Sequence, residues 1–298
     1  MKTAPRVSTV VTSDAQSISV TRIDSPGEPK AIVVIAGATA VPQQFYRRFA
    51  NSMNARGYSV VTFDYRGIGG SAPASLVGYE MNFLDWGRRD LAAVLGAVTR
   101  PGLPVLMVGH SYGGHALGLL PQGCRVDGLY AFGTGAGWHG YMKPLERVKV
   151  QLLWSVVAPV LTAWKGYLPF KLLGMGEDLP IGVYRQWRHW CSFPRYFFDD
   201  PLAQNELSGF ARATAPIFAA NATDDAWAPP RSRDAFMAGY HNAHVETRDL
   251  LPAAYGLKRI GHIGYFRSEA SALWAEVADW FDARIDSLRP AAVEQVAR

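Results

Sequence analysis

The chain has 298 residues, 49% of them hydrophobic and 18% charged, which is enough for one large domain, or one domain carrying an insertion, and excludes intrinsic disorder. Its 30 basic and 25 acidic residues leave a net charge of +5, too little to argue for a nucleic-acid partner. Two cysteines, Cys124 and Cys191, exclude a disulfide-built scaffold and suit a reducing compartment, although they could still form one pair.

The first residues carry a short apolar stretch broken by Thr9 and Thr12, which does not read as a signal peptide. Residues 7–23 alternate apolar and polar side chains around a turn signal at Ser13 and Asp14, and this predicts an antiparallel hairpin. Residues 31–36 are a continuous β-branched run suited to a buried strand. Residues 43–56 have helical spacing, with Phe45, Phe49 and Met53 on one face and Gly57 as the stop. A second buried strand is predicted over 58–63. A helix follows over 83–99, with Leu84, Leu91, Leu95 and Val98 on one side. A strand over 103–108, a helix over 114–120 and a strand over 126–132 continue the pattern. Such alternation predicts an α/β fold: a mostly parallel sheet with helices on both faces.

The alternation stops after Gly137 and resumes with a strand at 216–220, a helix at 231–240 and a last strand near 243–248. A closing helix is expected over 269–288, with Leu273, Val277, Trp280, Phe281 and Ile285 on its apolar face, and then a frayed tail at 289–298. The chain therefore divides into a first core part (1–137), a helical insertion (138–210) and a second core part (211–298). An uncharged stretch of 15 residues, over 150–164, lies in the insertion. It is shorter than the roughly 18 residues a spanning helix needs. With Gln151, Ser155 and Pro159 inside it, it reads as a buried or interfacial helix with a kink. No integral membrane association is expected, and the default location is cytoplasmic.

Chemistry concentrates at Gly109-His110-Ser111-Tyr112-Gly113, between a predicted strand and a predicted helix. This is the context of a nucleophile elbow, G-x-S-x-G. The glycines let strand and helix approach closely, and the tight turn projects the serine hydroxyl above the sheet. A serine needs a base, and the base needs an orienting acid. After the strand at 216–220, Asp225 stands three residues past Ala222 and four before Pro229, with Asp224 as the competing candidate. His262, between Gly261 and Gly264, lies after the last strand and completes the chain order serine, acid, histidine. His110 sits inside the elbow but points elsewhere. His241 and His244 precede a strand, and His139 and His189 lie in the insertion.

On these residues the chain resembles the α/β-hydrolases, over about residues 30–137 and 212–288. Residues 64–71 resemble the D-x-R-G-x-G-x-S loop of that superfamily, in which Asp64 and Arg66 read as structural. Residues 222–229 and 261–266 resemble a bacterial branch near the serine-aminopeptidase-like and monoglyceride-lipase-like hydrolases. The resemblance places the insertion where the family carries its lid, an inserted helical cap. It implies oxyanion-hole N–H groups from Tyr112 and Ala38, although the usual His-Gly of that loop is here Ala36-Gly37. The implied activity is a serine hydrolase cleaving a carboxylic ester or thioester through an acyl-enzyme, with no metal and no organic cofactor. An acyltransferase or peptidase on the same triad, or a non-catalytic binding protein, are the alternatives. A phosphate-binding loop is disfavoured, because the Gly-rich segment 64–71 lacks a Lys-[Ser/Thr] ending.

Residues 138–198 hold five tryptophans and eight basic residues against three acidic ones, an excess equal to the net charge of the whole chain. An aromatic, basic lid over a serine suits a small-molecule acyl substrate that is amphiphilic with an anionic end. The plainer explanation is a lid that packs its own aromatics and solvates its own cations.

Overall fold

The computed structural model describes residues 4–288, so the frayed tail expected at 289–298 lies outside the described residues. The amino-terminal hairpin pairs β1 (Arg6–Val11) with β2 (Ser17–Ile23), closed by Thr12 N–H donating to Gln16 O at 2.9 Å. Five strands then form the interior: β3 (Ile32–Ala36), β4 (Ser59–Phe63), β5 (Val105–His110), β6 (Gly128–Phe132) and β7 (Ile217–Ala222). Every residue in them is buried, as expected of parallel strands covered on both faces. The last strand, β8 (Val245–Leu250), lies at the edge and starts two residues later than the sequence pattern suggests. The sheet order is β1-β2-β4-β3-β5-β6-β7-β8, antiparallel from β1 to β4 and parallel beyond.

One face of the sheet carries α1 (Arg47–Ala55) and the closing helix (Ser271–Leu288), which bury Phe49, Met53, Leu273, Val277 and Phe281. The segment 43–46 is a 3₁₀ turn leading into α1, with Gln43 N–H donating to Asp64 Oδ1 at 2.7 Å. The other face carries α2 (Ala92–Val98), entered through a π-helical turn at Trp86–Leu91, and α3 (Tyr112–Ala116).

Between β6 and β7 the chain leaves the sheet, as the sequence suggests. A long helix runs from 144 to 165 in three stretches, α4 (Pro144–Leu152), a π-helical turn (Leu153–Val157) and α5 (Ala158–Lys165). It continues across Pro159 with no break in helical structure. α6 (Ile181–Trp190) and α7 (Ser208–Arg212) complete the insertion, and α8 (Pro230–Met237) follows β7. The closing helix is α9. Asp64 and Arg66 hold loops together. Asp64 accepts from Gln43 and from Gly70 N–H, while buried Arg66 binds Asp90 and Asp14. Cys124 and Cys191 are both free. Among the described residues, no helix is long and apolar enough to cross a membrane.

Candidate active site

Ser111 is the single residue between the end of β5 and the start of α3, and its backbone is strained at φ 52°, ψ −110°. Non-glycine residues rarely adopt such angles, and they persist only where the surroundings impose them. Two bonds do so: Ser111 N–H donates to Phe132 O at 2.8 Å, and Thr134 Oγ1 donates to Ser111 O at 3.0 Å. The helix predicted from 114 in fact begins at Tyr112. Gly113 and Gly114 are contact surfaces against β3 and Thr134 rather than helix breakers. Tyr112 therefore supplies the first N–H of a helix, which has no intrahelical acceptor.

His262 lies in the loop after β8, with Nε2 3.0 Å from Ser111 Oγ and Nδ1 2.9 Å from Asp225 Oδ2. Asp225 follows β7 and is buried. Its Oδ1 accepts the N–H groups of Trp227 and Ala228, both at 2.9 Å, and its Oδ2 accepts the Tyr265 hydroxyl at 2.9 Å. Burial alone would raise this carboxyl. The adjacent imidazole and the converging donors outweigh it and hold the group below the ordinary carboxylate range. A carboxylate on Nδ1 places the imidazole proton there and turns the Nε2 lone pair toward the serine hydroxyl. Asp224 does not touch His262. It accepts Ile260 N–H at 3.1 Å and Gly261 N–H at 3.0 Å, anchoring the loop that carries the histidine.

The Ala38 N–H, expected to face an oxyanion, instead donates to Tyr46 Oη at 2.8 Å. The physical reason is a buried chain. His110 Nε2 lies 2.8 Å from the carbonyl oxygen of His262, an acceptor, so Nε2 carries the proton. Nδ1 must then accept, and the Tyr46 hydroxyl donates to it at 2.9 Å, leaving the Tyr46 oxygen to receive Ala38 N–H. His110 thus points away from the nucleophile but fixes the backbone of the residue that faces it. Next along the loop, Thr39 N–H has no hydrogen-bond partner among the described residues.

Burial pushes His110 and His115 down to about 3, against about 6.5 in an unfolded chain. Between those values the unfolded chain takes up a proton that the folded chain refuses, so stability falls as pH drops through that window. Two such histidines predict a loss of about 2.7 kcal/mol per pH unit below about pH 6, and buried Asp90, whose carboxyl desolvation raises to about 6, offsets about half of it by taking up a proton in the folded chain. Urea denaturation at several pH values from neutral to about pH 5 checks this, and flat stability over that range contradicts it.

Two cavities meet at Ser111. A cavity of about 670 Å³ is lined by Phe45, Phe170, Met175, Trp187 and Trp227, with exposed Arg267 also in its wall. A recess of about 30 Å³ lies against His115, Gly135 and Tyr196. Ser111, Thr39, His262, Trp187 and Trp227 line both. Trp154, Trp187 and Trp227 pack as a mutual cluster, with ring centroids 5.0, 5.8 and 6.2 Å apart. The insertion's aromatics therefore serve both purposes weighed from the sequence, as lid core and as cavity wall. Sequence reasoning passed over Tyr265, Tyr46 and Trp227. Tyr265 and Trp227 stand three and two residues from His262 and Asp225, a signal that proximity alone could have supplied.

The family profile of the serine aminopeptidase S33 group matches residues 27–172, a span that contains Ser111 but neither Asp225 nor His262. Solved structures align over nearly the whole chain. The chain has the α/β-hydrolase fold. A soluble variant of the Saccharomyces cerevisiae monoglyceride lipase, solved with a substrate analog, is 15% identical at TM-score 0.65, covering 95% of this chain and 97% of that one. An esterase from Exiguobacterium antarcticum is 17% identical at TM-score 0.60, covering 95% and 100%. A thioesterase domain from the curacin biosynthetic pathway is 15% identical at TM-score 0.57, covering 92% and 99%. No curated protein sequence matches the chain. In this fold the Ser111 turn, the Asp225 loop and the His262 loop all sit at the carboxyl ends of parallel strands, where open α/β sheets place their sites.

Proposed function

We propose that this protein is an α/β-hydrolase that cleaves a carboxylic ester or thioester through an acyl-enzyme, with Ser111 as nucleophile, His262 as base and Asp225 as orienting acid. The reading rests on one observation: the continuous relay from Ser111 Oγ through His262 to buried Asp225. Ser111 Oγ attacks the carbonyl carbon as its proton passes to His262 Nε2. The tetrahedral oxyanion collapses, and the leaving alcohol or thiol departs with that proton. Water, deprotonated by the same nitrogen, then releases the acid and restores the serine. Tyr112 N–H is the first oxyanion donor. Thr39 N–H, unengaged in the loop that closes over Ser111, takes the part that resemblance assigns to Ala38.

The substrate side follows from the cavities. A long apolar group fits the larger one, a small group fits the recess, and Arg267 suits an anionic end. The esterase, lipase and thioesterase among the structural neighbours support the same bond class.

The test is intact-mass analysis after treatment with a fluorophosphonate probe. Wild type is expected to gain one adduct and Ser111→Ala none, and p-nitrophenyl esters of graded acyl length should show a preference for longer chains. A folded wild type that takes up neither the fluorophosphonate nor a small thioester probe overturns the reading in favour of a binding protein.

A further inference from the structure

The helix from 144 to 165 carries two stripes with the same spacing. Val150, Trp154, Ala158 and Thr162 are buried against the protein. Four residues apart in the same way, Val148, Leu152, Val156, Val160 and Trp164 are exposed, and with Leu145 their exposures run from 52% to 67%. A step of four residues overshoots a regular helical turn by about 40°, so four such steps would wander by about 160°. The π-helical turn at Leu153–Val157 takes up part of this drift, and each stripe keeps its burial or exposure along the helix. The result is an exposed apolar ridge about 28 Å long, far more ordered than the scattered apolar residues normal on a protein surface.

Charge is absent from residues 150–164 and gathers at the two ends. Lys143, Arg147 and Lys149 stand at one end, and Lys165 and Lys171 at the other. Glu146 pairs with Lys149, Glu177 with Lys171, and Arg147 donates to His139 O and Gly140 O, so Lys143 and Lys165 are the end cations with no acidic partner among the described residues. Trp164 closes the ridge with Lys165 Nζ 4.0 Å from its ring centroid. Val77, 63% exposed, adjoins this end beside Gly166. An apolar ridge with cations and a tryptophan at its limits is the pattern of a helix lying in a lipid–water interface. A second copy docked on the same face would oppose cations to cations across a two-fold axis, whereas an anionic lipid surface complements them.

We infer that this helix docks the protein on an anionic phospholipid surface, apolar ridge inward and end cations on the headgroups. The segment that follows the helix directly supplies Phe170 and Met175 to the cavity at Ser111, and Leu172 between them is 63% exposed. Docking therefore sets the cavity wall beside the bilayer. That last consequence rests on the proposed ester hydrolysis, but the docking does not.

Co-sedimentation with vesicles tests it, comparing phosphatidylcholine alone with phosphatidylcholine containing phosphatidylglycerol. Wild type and Ser111→Ala are expected to bind the anionic vesicles equally, about tenfold or more above the neutral ones, with binding weakened by salt. The pair Leu152→Glu and Val160→Glu should abolish binding while leaving the thermal midpoint and fluorophosphonate labelling at wild-type levels. Both substitutions are on the exposed stripe, away from the site. Equal binding by this double variant, or no binding by wild type, overturns the inference. So does a wild-type dimer in sedimentation velocity that the same pair of substitutions converts to monomer, since it assigns the ridge to a second copy.

Discussion

Replacing Asp225 by asparagine is expected to lower kcat about ten-thousandfold, the scale seen when a triad acid loses its charge with geometry retained. The local bonds explain why. Oδ1 accepts two backbone N–H groups, from Trp227 and Ala228. An asparagine must keep its carbonyl oxygen there, which puts its NH₂ in the Oδ2 position, 2.9 Å from His262 Nδ1. An amide donor at the nearer of the two acceptor positions favours the ring proton on Nε2, although Oδ1 at 3.1 Å still accepts from Nδ1, and an Nε2–H cannot take the proton of Ser111. Asp224→Asn is the comparison. Asp224 binds only Ile260 and Gly261 N–H, so its replacement should cost no more than about tenfold, through looser placement of the histidine loop. Steady-state kinetics on an activated ester separates the two. A collapse in Asp224→Asn with Asp225→Asn near wild type would reverse the assignment.

The competition between these aspartates shows how far sequence reasoning reaches. The juxtaposition of Ser111, Asp225 and His262 was legible because each belongs to a local pattern, and the three patterns come in a fixed order. The strands β3 to β7 were legible because a strand buried on both faces is nearly all apolar. What escaped depends on contacts between segments far apart in the chain. Tyr46 and His110 are 64 residues apart, and His110 and His262 are 152 apart. No local pattern announces that the Tyr46 hydroxyl occupies the Ala38 N–H, so the oxyanion loop could not be read correctly from its own residues. The helix at 144–165 is an intermediate case. Its two four-residue stripes are visible in the sequence, but which stripe faces water is decided by the packing of Trp154 on Trp187. Pro159 suggested a kink there, yet the helix widens into a π turn just before it, which removes the need for the N–H that proline lacks.

The elbow glycines carry the other large expected effect. Gly113→Ala is predicted to cost at least about 3 kcal/mol, the upper end of overpacking penalties. A methyl group at 113 would lie 2.0 Å from Ala36 O and 2.7 Å from Ala36 C. Both atoms belong to the backbone of β3, which pairs with β4 on one side and β5 on the other. That backbone cannot yield without breaking the centre of the sheet, so α3 must be pushed off β5 and Ser111 carried out of line with His262. The same reasoning holds at Gly109, whose added methyl would meet Gly114 N at 2.7 Å. Gly96, in α2, is the control, because nothing lies within 4 Å of its added methyl. Gly96→Ala should stabilise the protein by about 0.5–1 kcal/mol through helix propensity and a less flexible unfolded chain. Urea denaturation of the two variants beside wild type reads both signs at once. A Gly113→Ala protein as stable as wild type would mean that the helix can lift from the sheet at little cost, and the strained turn at Ser111 would then need another explanation than close packing.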